Sequence, residues 1–177
     1  VKRFREVISI EELKEWYQKL LDEYHKWLSY QKKWKEERNH SLQSLEFPFS
    51  YREGQRKMVS SVYHTIGASR QIFIQAPTGV GKTMSTIFPA VRAVGEGKGE
   101  TIFYLTAKTI TRTVAQEAFE VLREKGMKYK VVTITAKEKL CFMDETKCDP
   151  VHCPYARGHF DRVNDAVYEL WTMKSRY

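Results

Sequence analysis

One stretch of thirteen residues, Gln71 to Thr83, constrains the fold of this chain more than any other. It reads Gln-Ile-Phe-Ile-Gln-Ala-Pro-Thr-Gly-Val-Gly-Lys-Thr: a short apolar segment typical of a buried strand, a turn with two glycines, and a Lys-Thr pair that opens a helix. Glycine adopts backbone angles that other residues resist, so successive amides can curl around an anion at the next helix's N-terminus. The stretch therefore predicts a phosphate-binding loop.

The residue types in this loop indicate a nucleotide and Mg²⁺ as its ligands. Lys82 is placed to reach the β- and γ-phosphates, and the hydroxyl of Thr83 is placed to ligate Mg²⁺, which gives both a catalytic role. Ala76 stands at the first position, where the usual pattern has glycine. The residues expected to contact the phosphates are Ala76, Thr78, Gly79, Val80, Gly81, Lys82 and Thr83.

The order of apolar segments predicts an α/β fold. Strand-like runs at 71–75, 101–105 and 130–135 alternate with helical segments at 84–94 and 111–125. Alternation of this kind indicates a parallel sheet with right-handed crossovers. The loops that follow the strands would then share one binding edge of the sheet.

Polar residues after the second strand-like run are candidates for nucleic-acid binding. Lys108, Thr109 and Arg112 would lie at the binding edge, and their side chains suit contacts with backbone phosphates. Lysines at strand ends are also common on inert surfaces, so ordinary surface charge is the alternative.

A long helix is predicted from residue 11 to about residue 45. Aromatic and aliphatic side chains recur at helical spacing, with Lys and Glu on the remaining face. This spacing is typical of a buried seam, and the aromatic content leaves stacking on nucleic acid open. The stripe consists of Leu13, Trp16, Tyr17, Leu20, Tyr24, Trp27, Leu28, Gln31 and Trp34.

Composition limits the class of partner and the setting. The chain has 177 residues, with 30 Lys and Arg against 22 Asp and Glu, and a formal charge of +8 favours a polyanionic partner. No run is apolar enough to span a membrane, and no secretory signal is visible. Three cysteines in one short segment are poor material for a disulfide framework, so we expect a reducing, cytoplasmic setting.

The cysteine segment suggests a metal site. Cys141, Cys148 and Cys153 are separated by six and four residues, and Pro150 and Pro154 impose turns. Thiolates suit zinc or an iron–sulfur cluster, and ligand type alone does not choose between them. Zinc could recruit His159 as a fourth ligand. Three unrelated buried thiols are the remaining alternative.

From Phe47 to Tyr177 the order of segments resembles the start of the motor domain of XPD/DinG-like iron–sulfur DNA helicases of superfamily 2. An alanine-initiated phosphate loop is normal in that family. The resemblance rests on four segments: Tyr51-Arg52-Glu53-Gly54-Gln55, which is similar to the family's adenine-recognising segment, Ala76 to Thr83, Tyr104-Leu105-Thr106-Ala107-Lys108-Thr109, and the cysteine run that begins Lys139-Leu140-Cys141.

The resemblance implies an incomplete RecA-like lobe: a helical connector at 1–46, the first part of the ATP-binding lobe at 47–140, and the start of an iron–sulfur insertion at 141–177. Gln55 would recognise adenine. Three of the four ligands of a 4Fe-4S cluster would be Cys141, Cys148 and Cys153.

The activity implied is ATP-dependent unwinding of forked DNA by movement on single strands. The 177 residues alone are expected to be inactive, because the acidic residues and second-lobe arginines of that family are not in this sequence. The alternative from another class is a non-motor, zinc-binding nucleic-acid module with a regulatory or vestigial nucleotide site.

Overall fold

The computed structural model describes residues 5–106 and 109–173. The chain forms two compact units, Val1–Lys128 and Tyr129–Tyr177. The domain boundaries near residues 46 and 140 stay predictions. None of the described helices is long and apolar enough to cross a membrane. The helices of the first unit are α1 (Ile10–Gln43), α2 (Gln55–Gly67), α3 (Lys82–Gly95) and α4 (Thr109–Glu124), and the second unit contains a 3₁₀ turn (Lys137–Lys139) and α5 (His159–Thr172).

Helix α1 begins at a capping box. The Ser9 hydroxyl accepts a hydrogen bond from the Glu12 backbone N–H at 3.2 Å, and the Glu12 carboxylate accepts one from the Ser9 N–H at 2.7 Å. These bonds satisfy donors that a helix start leaves unpaired. The bond from the Ser9 N–H, together with one that the Ser9 hydroxyl donates, lowers the pKa of the Glu12 carboxyl group. The first half of the expected seam is nevertheless open to solvent. Five of its side chains are 47–59% exposed: Leu13, Trp16, Tyr17, Leu20 and Tyr24.

Helix α3 is the centre of the first unit, where it packs against α1, α2 and α4. The C-terminal ends of α1 and α3 pack so closely that a Cβ added to Gly95 would lie 2.6 Å from the Leu42 Cβ. The Gln43 amide donates to the Gly95 carbonyl at 2.7 Å, and Arg92 donates to the carbonyl of Gln43. The far end of α3 is thereby fixed, which positions its N-terminus. Buried side chains around it include Leu42, Met58, Val62, Ile87, Val91, Phe119 and Leu122.

The predicted α/β class, with a parallel-sheet P-loop lobe, is wrong for this structure. The described residues contain helices, and none of them is assigned to a β-strand. The predicted strand segments carry side chains that are largely exposed: Phe73 at 95%, Leu105 at 88% and Ile134 at 85%. Sequence preference for strands reflects how a side chain fits a paired, half-buried surface. Without neighbouring strands to pair the backbone, the same apolar runs remain irregular and open.

Candidate nucleotide-binding site

Two left-handed glycines shape the loop that leads into α3. Gly79 has φ +82° and Gly81 has φ +79°, a region in which other residues are strained. Gly81 is the N-cap residue, and its carbonyl accepts hydrogen bonds from the Ser85 N–H at 3.0 Å and the Ser85 hydroxyl at 2.8 Å. The turn therefore delivers the chain directly into a helix N-terminus, which favours an anion.

Lys82 and Thr83 form the first turn of α3, as the loop pattern predicts. The ammonium of Lys82 is exposed and donates to the Ala76 carbonyl at 2.8 Å and to the Pro77 carbonyl at 3.1 Å. These bonds hold the cation over the loop, and a phosphate would have to replace at least one of them. Thr83 is half-buried, and its hydroxyl has no hydrogen-bond partner among the described residues, which leaves it available to a cation.

Gln55 is the first residue of α2, and its side chain is turned into the protein. It is 4% exposed, and its Oε1 accepts a hydrogen bond from the Arg52 backbone N–H at 3.0 Å. Its carboxamide packs on the phosphate loop, since a Cβ on Gly81 would lie 2.5 Å from the Gln55 Nε2. Recognition of adenine by Gln55 stays a prediction. The structure places this amide against Gly81 of the loop.

Sequence reasoning missed Arg52 as a residue of this site. Its guanidinium Nη1 donates a hydrogen bond to the carbonyl of Gly79, across 27 positions of sequence. Arg52 stands in the segment whose resemblance pointed to adenine, and nothing in its spacing indicates a contact with the loop. Two side chains at and just before the start of α2 thus contact the phosphate loop: Arg52 by a hydrogen bond to Gly79, and Gln55 by packing on Gly81.

A cavity of about 770 Å³ lies between the start of α2 and the loop. This volume falls within the usual range for small-molecule sites. Its walls combine Lys57 and Ser61 of α2 with residues of the loop and of the apolar segment before it. Residues that line it include Arg52, Glu53, Gly54, Lys57, Ser61, Ala76, Pro77, Thr78 and Val80.

The residues predicted to contact DNA are placed in part. Lys108 lies outside the described residues, and Thr109 is the first residue of α4. Arg112, in the first turn of α4, is half-buried, and its Nε has no hydrogen-bond partner in the part of the chain that the structure describes. The predicted DNA contacts of these residues stay predictions.

The three cysteines of the second unit are free thiols that line one cavity of about 680 Å³. Cys153 is buried, Cys141 is half-buried and Cys148 is exposed. His159, the first residue of α5, lines the same cavity. The folded segment therefore gathers the thiols and the imidazole that the sequence analysis singled out.

The donor chemistry of this cavity fits a thiophilic metal, but the arrangement of the donors does not. Among residues 5–106 and 109–173, no three His, Cys, Asp or Glu side chains stand close enough together to hold a metal ion. The side chains that line the cavity would have to come closer together before three thiolates could share one ion or cluster. The residues predicted as metal ligands therefore share a cavity, but they do not form a metal-binding arrangement in the part of the chain that the structure describes.

Comparison with known proteins gives two matches. The family model described as DEAD/DEAH box helicase matches residues 52–153, which include the start of α2, the loop and α3. A Methanocaldococcus jannaschii protein described as a probable ATP-dependent helicase is 29% identical over 123 residues. That alignment covers 67% of this chain and 18% of the relative, so the chain spans about a fifth of its length. No solved structure matches the chain.

Proposed function

Since this chain belongs to the DEAD/DEAH box helicase family, we propose that it carries the ATP-binding site of an ATP-dependent DNA helicase of the XPD/DinG-like branch. One observation carries the proposal: two left-handed glycines lead into the N-terminus of α3, with the Lys82 ammonium beside them. This arrangement offers backbone N–H donors, a helix dipole and a mobile cation to a phosphate chain.

Each residue of the site has a distinct task in this proposal. Lys82 would exchange its bonds with the loop carbonyls for bonds to the β- and γ-phosphates, where charge develops during transfer. The Thr83 hydroxyl would hold Mg²⁺, which would supply positive charge next to the phosphates. Gln55 would recognise adenine through its amide, which can both donate and accept hydrogen bonds.

The test is calorimetric titration of the chain with Mg-ATP and Mg-ADP. We expect weak, Mg²⁺-dependent binding that Lys82→Ala removes, because that substitution deletes the mobile cation while alanine is well tolerated at a helix start. Lys19→Ala is the matched control, because it removes an exposed lysine of α1 that does not line the cavity. Equal binding by parent and Lys82→Ala would rule the phosphate site out.

A nucleic-acid partner is supported by the net charge of +8, and DNA in particular rests on the resemblance. Phosphate contacts by Lys108, Thr109 and Arg112 would make binding to single strands weaken with salt. Replacing Lys108 and Arg112 together should then reduce the log–log slope by about 0.7 per lost contact, with base preference unchanged. An unchanged slope would identify them as ordinary surface charges.

The cofactor proposed for the second unit is a 4Fe-4S cluster with Cys141, Cys148 and Cys153 as ligands. The shared cavity supports this assignment, and a fourth ligand is not among these residues. Such a cluster supplies a rigid, thiolate-bound core around which a loop-rich segment can order. Cys141, Cys148 and Cys153 would each have to lose a proton to bind it as thiolates.

A zinc site is the second candidate, and one observation favours it. His159 lines the cavity with the three cysteines, so the second unit contains the four side chains needed for a Cys₃His zinc site around one cavity. Metal analysis after anaerobic purification and reconstitution separates the two candidates. Brown protein containing iron supports the cluster, whereas stoichiometric zinc that is lost in His159→Ala supports zinc. His152→Ala is the control, because His152 is exposed and bonded to Asp149 at 2.6 Å.

A further inference from the structure

We propose that Arg52 is a positioning residue that holds the phosphate loop in its anion-binding shape before a ligand arrives; the inference rests on the nucleotide-binding function proposed above. The Arg52 guanidinium donates to the carbonyl of Gly79. The peptide that joins Gly79 to Val80 is planar and trans, so its C=O and N–H point in opposite directions. A carbonyl held by Arg52 therefore orients the Val80 N–H away from Arg52.

The bond from Arg52 matters because Gly79 alone does not fix the orientation of the peptide that joins it to Val80. Gly79 has φ +82°, and a Cβ built on it would meet nothing within 4 Å, so no side chain of its own could hold this backbone in place. Glycine has more backbone freedom than any other residue, and it loses the most on being fixed. A hydrogen bond from a charged donor is stronger than one between neutral groups, which suits Arg52 to this task.

Arg52 is itself fixed by the protein. Its backbone N–H donates to the Oε1 of Gln55 at 3.0 Å, and Gln55 is buried against Gly81. The backbone of Arg52 is therefore bonded to Gln55, which packs on Gly81, while the Arg52 side chain is bonded to Gly79, two residues earlier in the loop. Arg52 thereby sets the affinity for the phosphate chain through the shape of the loop, whichever base the nucleotide carries.

The first measurement is ¹⁵N relaxation of the Val80 amide in the chain without ligand. In the parent we expect an order parameter near about 0.85, as in rigid backbone, and in Arg52→Ala a fall below about 0.6. Arg56→Ala is the matched control, because Arg56 is the next arginine of the same segment, is exposed, and lies 6.0 Å from the Tyr51 ring. An order parameter that Arg52→Ala leaves unchanged would overturn the proposal, even if nucleotide affinity fell.

The second measurement compares Mg-ATP with magnesium tripolyphosphate, which has phosphates and no base. Arg52→Ala should weaken both by the same factor, about tenfold or more, and Arg52→Lys should recover part of the loss by restoring one donor. If only ATP binding fell, Arg52 would contact the base, and the proposal would be wrong. A parent chain that binds neither compound overturns the proposed function itself. Matching urea midpoints for the variants show that all of them are folded.

Discussion

The phosphate loop and the cysteine cavity differ in how each site is built. In the loop, the groups expected to bind are backbone amides, whose directions are set by two left-handed glycines and by the start of α3. In the cavity, the groups expected to bind are side chains, and Cys148 is exposed while Cys153 is buried. A site made of backbone can be in place before its ligand. A site made of thiols from loops depends on the ligand to bring them together.

The largest effect on the preformed phosphate loop is expected from Gly81→Ala. The substitution forces a side chain into left-handed backbone, at a cost of roughly 1–2 kcal/mol. It also places a Cβ 2.5 Å from the Gln55 Nε2. Together these should shift the loop and lower affinity for Mg-ADP by about a hundredfold, as measured by calorimetry.

Gly79→Ala is the matched control for this prediction. It carries a similar backbone penalty at φ +82°, but its Cβ would enter open space. We therefore expect a smaller loss of affinity, about tenfold. Equal losses for the two variants would show that contact with Gln55 does not shape the loop.

Local rules explain what could be predicted from the sequence. The Lys82 and Thr83 helix start follows from glycine chemistry within a few residues. The long helix predicted from residue 11 occurs as Ile10–Gln43, because spaced apolar residues and a capping box act over short distances. The membership of the chain in a helicase family agrees with the function that these local motifs implied.

Features that depend on distant partners could not be predicted. The segments around Phe73, Phe103 and Val132 have strand-forming composition, yet a strand also requires a neighbour to pair with. The bond from Arg52 to Gly79 spans 27 positions and has no signature in local spacing. The arrangement of the three thiols depends on how loops fold, which residue spacing does not determine.

The second prediction sharpens the description of the cysteine cavity. Cys153 is 7% exposed, so Cys153→Ser buries a hydroxyl and should reduce the free energy of unfolding by about 1–3 kcal/mol in the presence of chelator. Cys148 is exposed, so Cys148→Ser should change it by less than about 0.5 kcal/mol. Urea denaturation measures both. A larger effect at Cys148 would mean that the folded cavity differs from the one described.

The smallest predicted effect concerns Lys130 in the second unit. Its ammonium donates to the Trp171 carbonyl and lies 5.3 Å from the indole ring, and burial lowers the pKa of Lys130 to about 8. Between that value and the ordinary pKa of lysine, the unfolded chain binds more protons than the folded chain. Stability should therefore rise slightly as pH increases from about 8 towards about 10.

Lys130→Met removes the titrating group, so the slope of unfolding free energy against pH should be lower over this window. Chemical denaturation at several pH values measures that slope. The same slope in parent and variant would show that Lys130 is not desolvated as described.

The central claim is that backbone amides at the start of α3 bind the phosphates of a nucleotide. Two-dimensional ¹H–¹⁵N NMR during titration with Mg-ADP tests it most directly. We expect the largest shifts at the amides of Val80 through Thr83; they should require Mg²⁺, and Lys82→Ala should remove them. Shifts that centre elsewhere in the chain, or no shifts at saturating nucleotide, would contradict it.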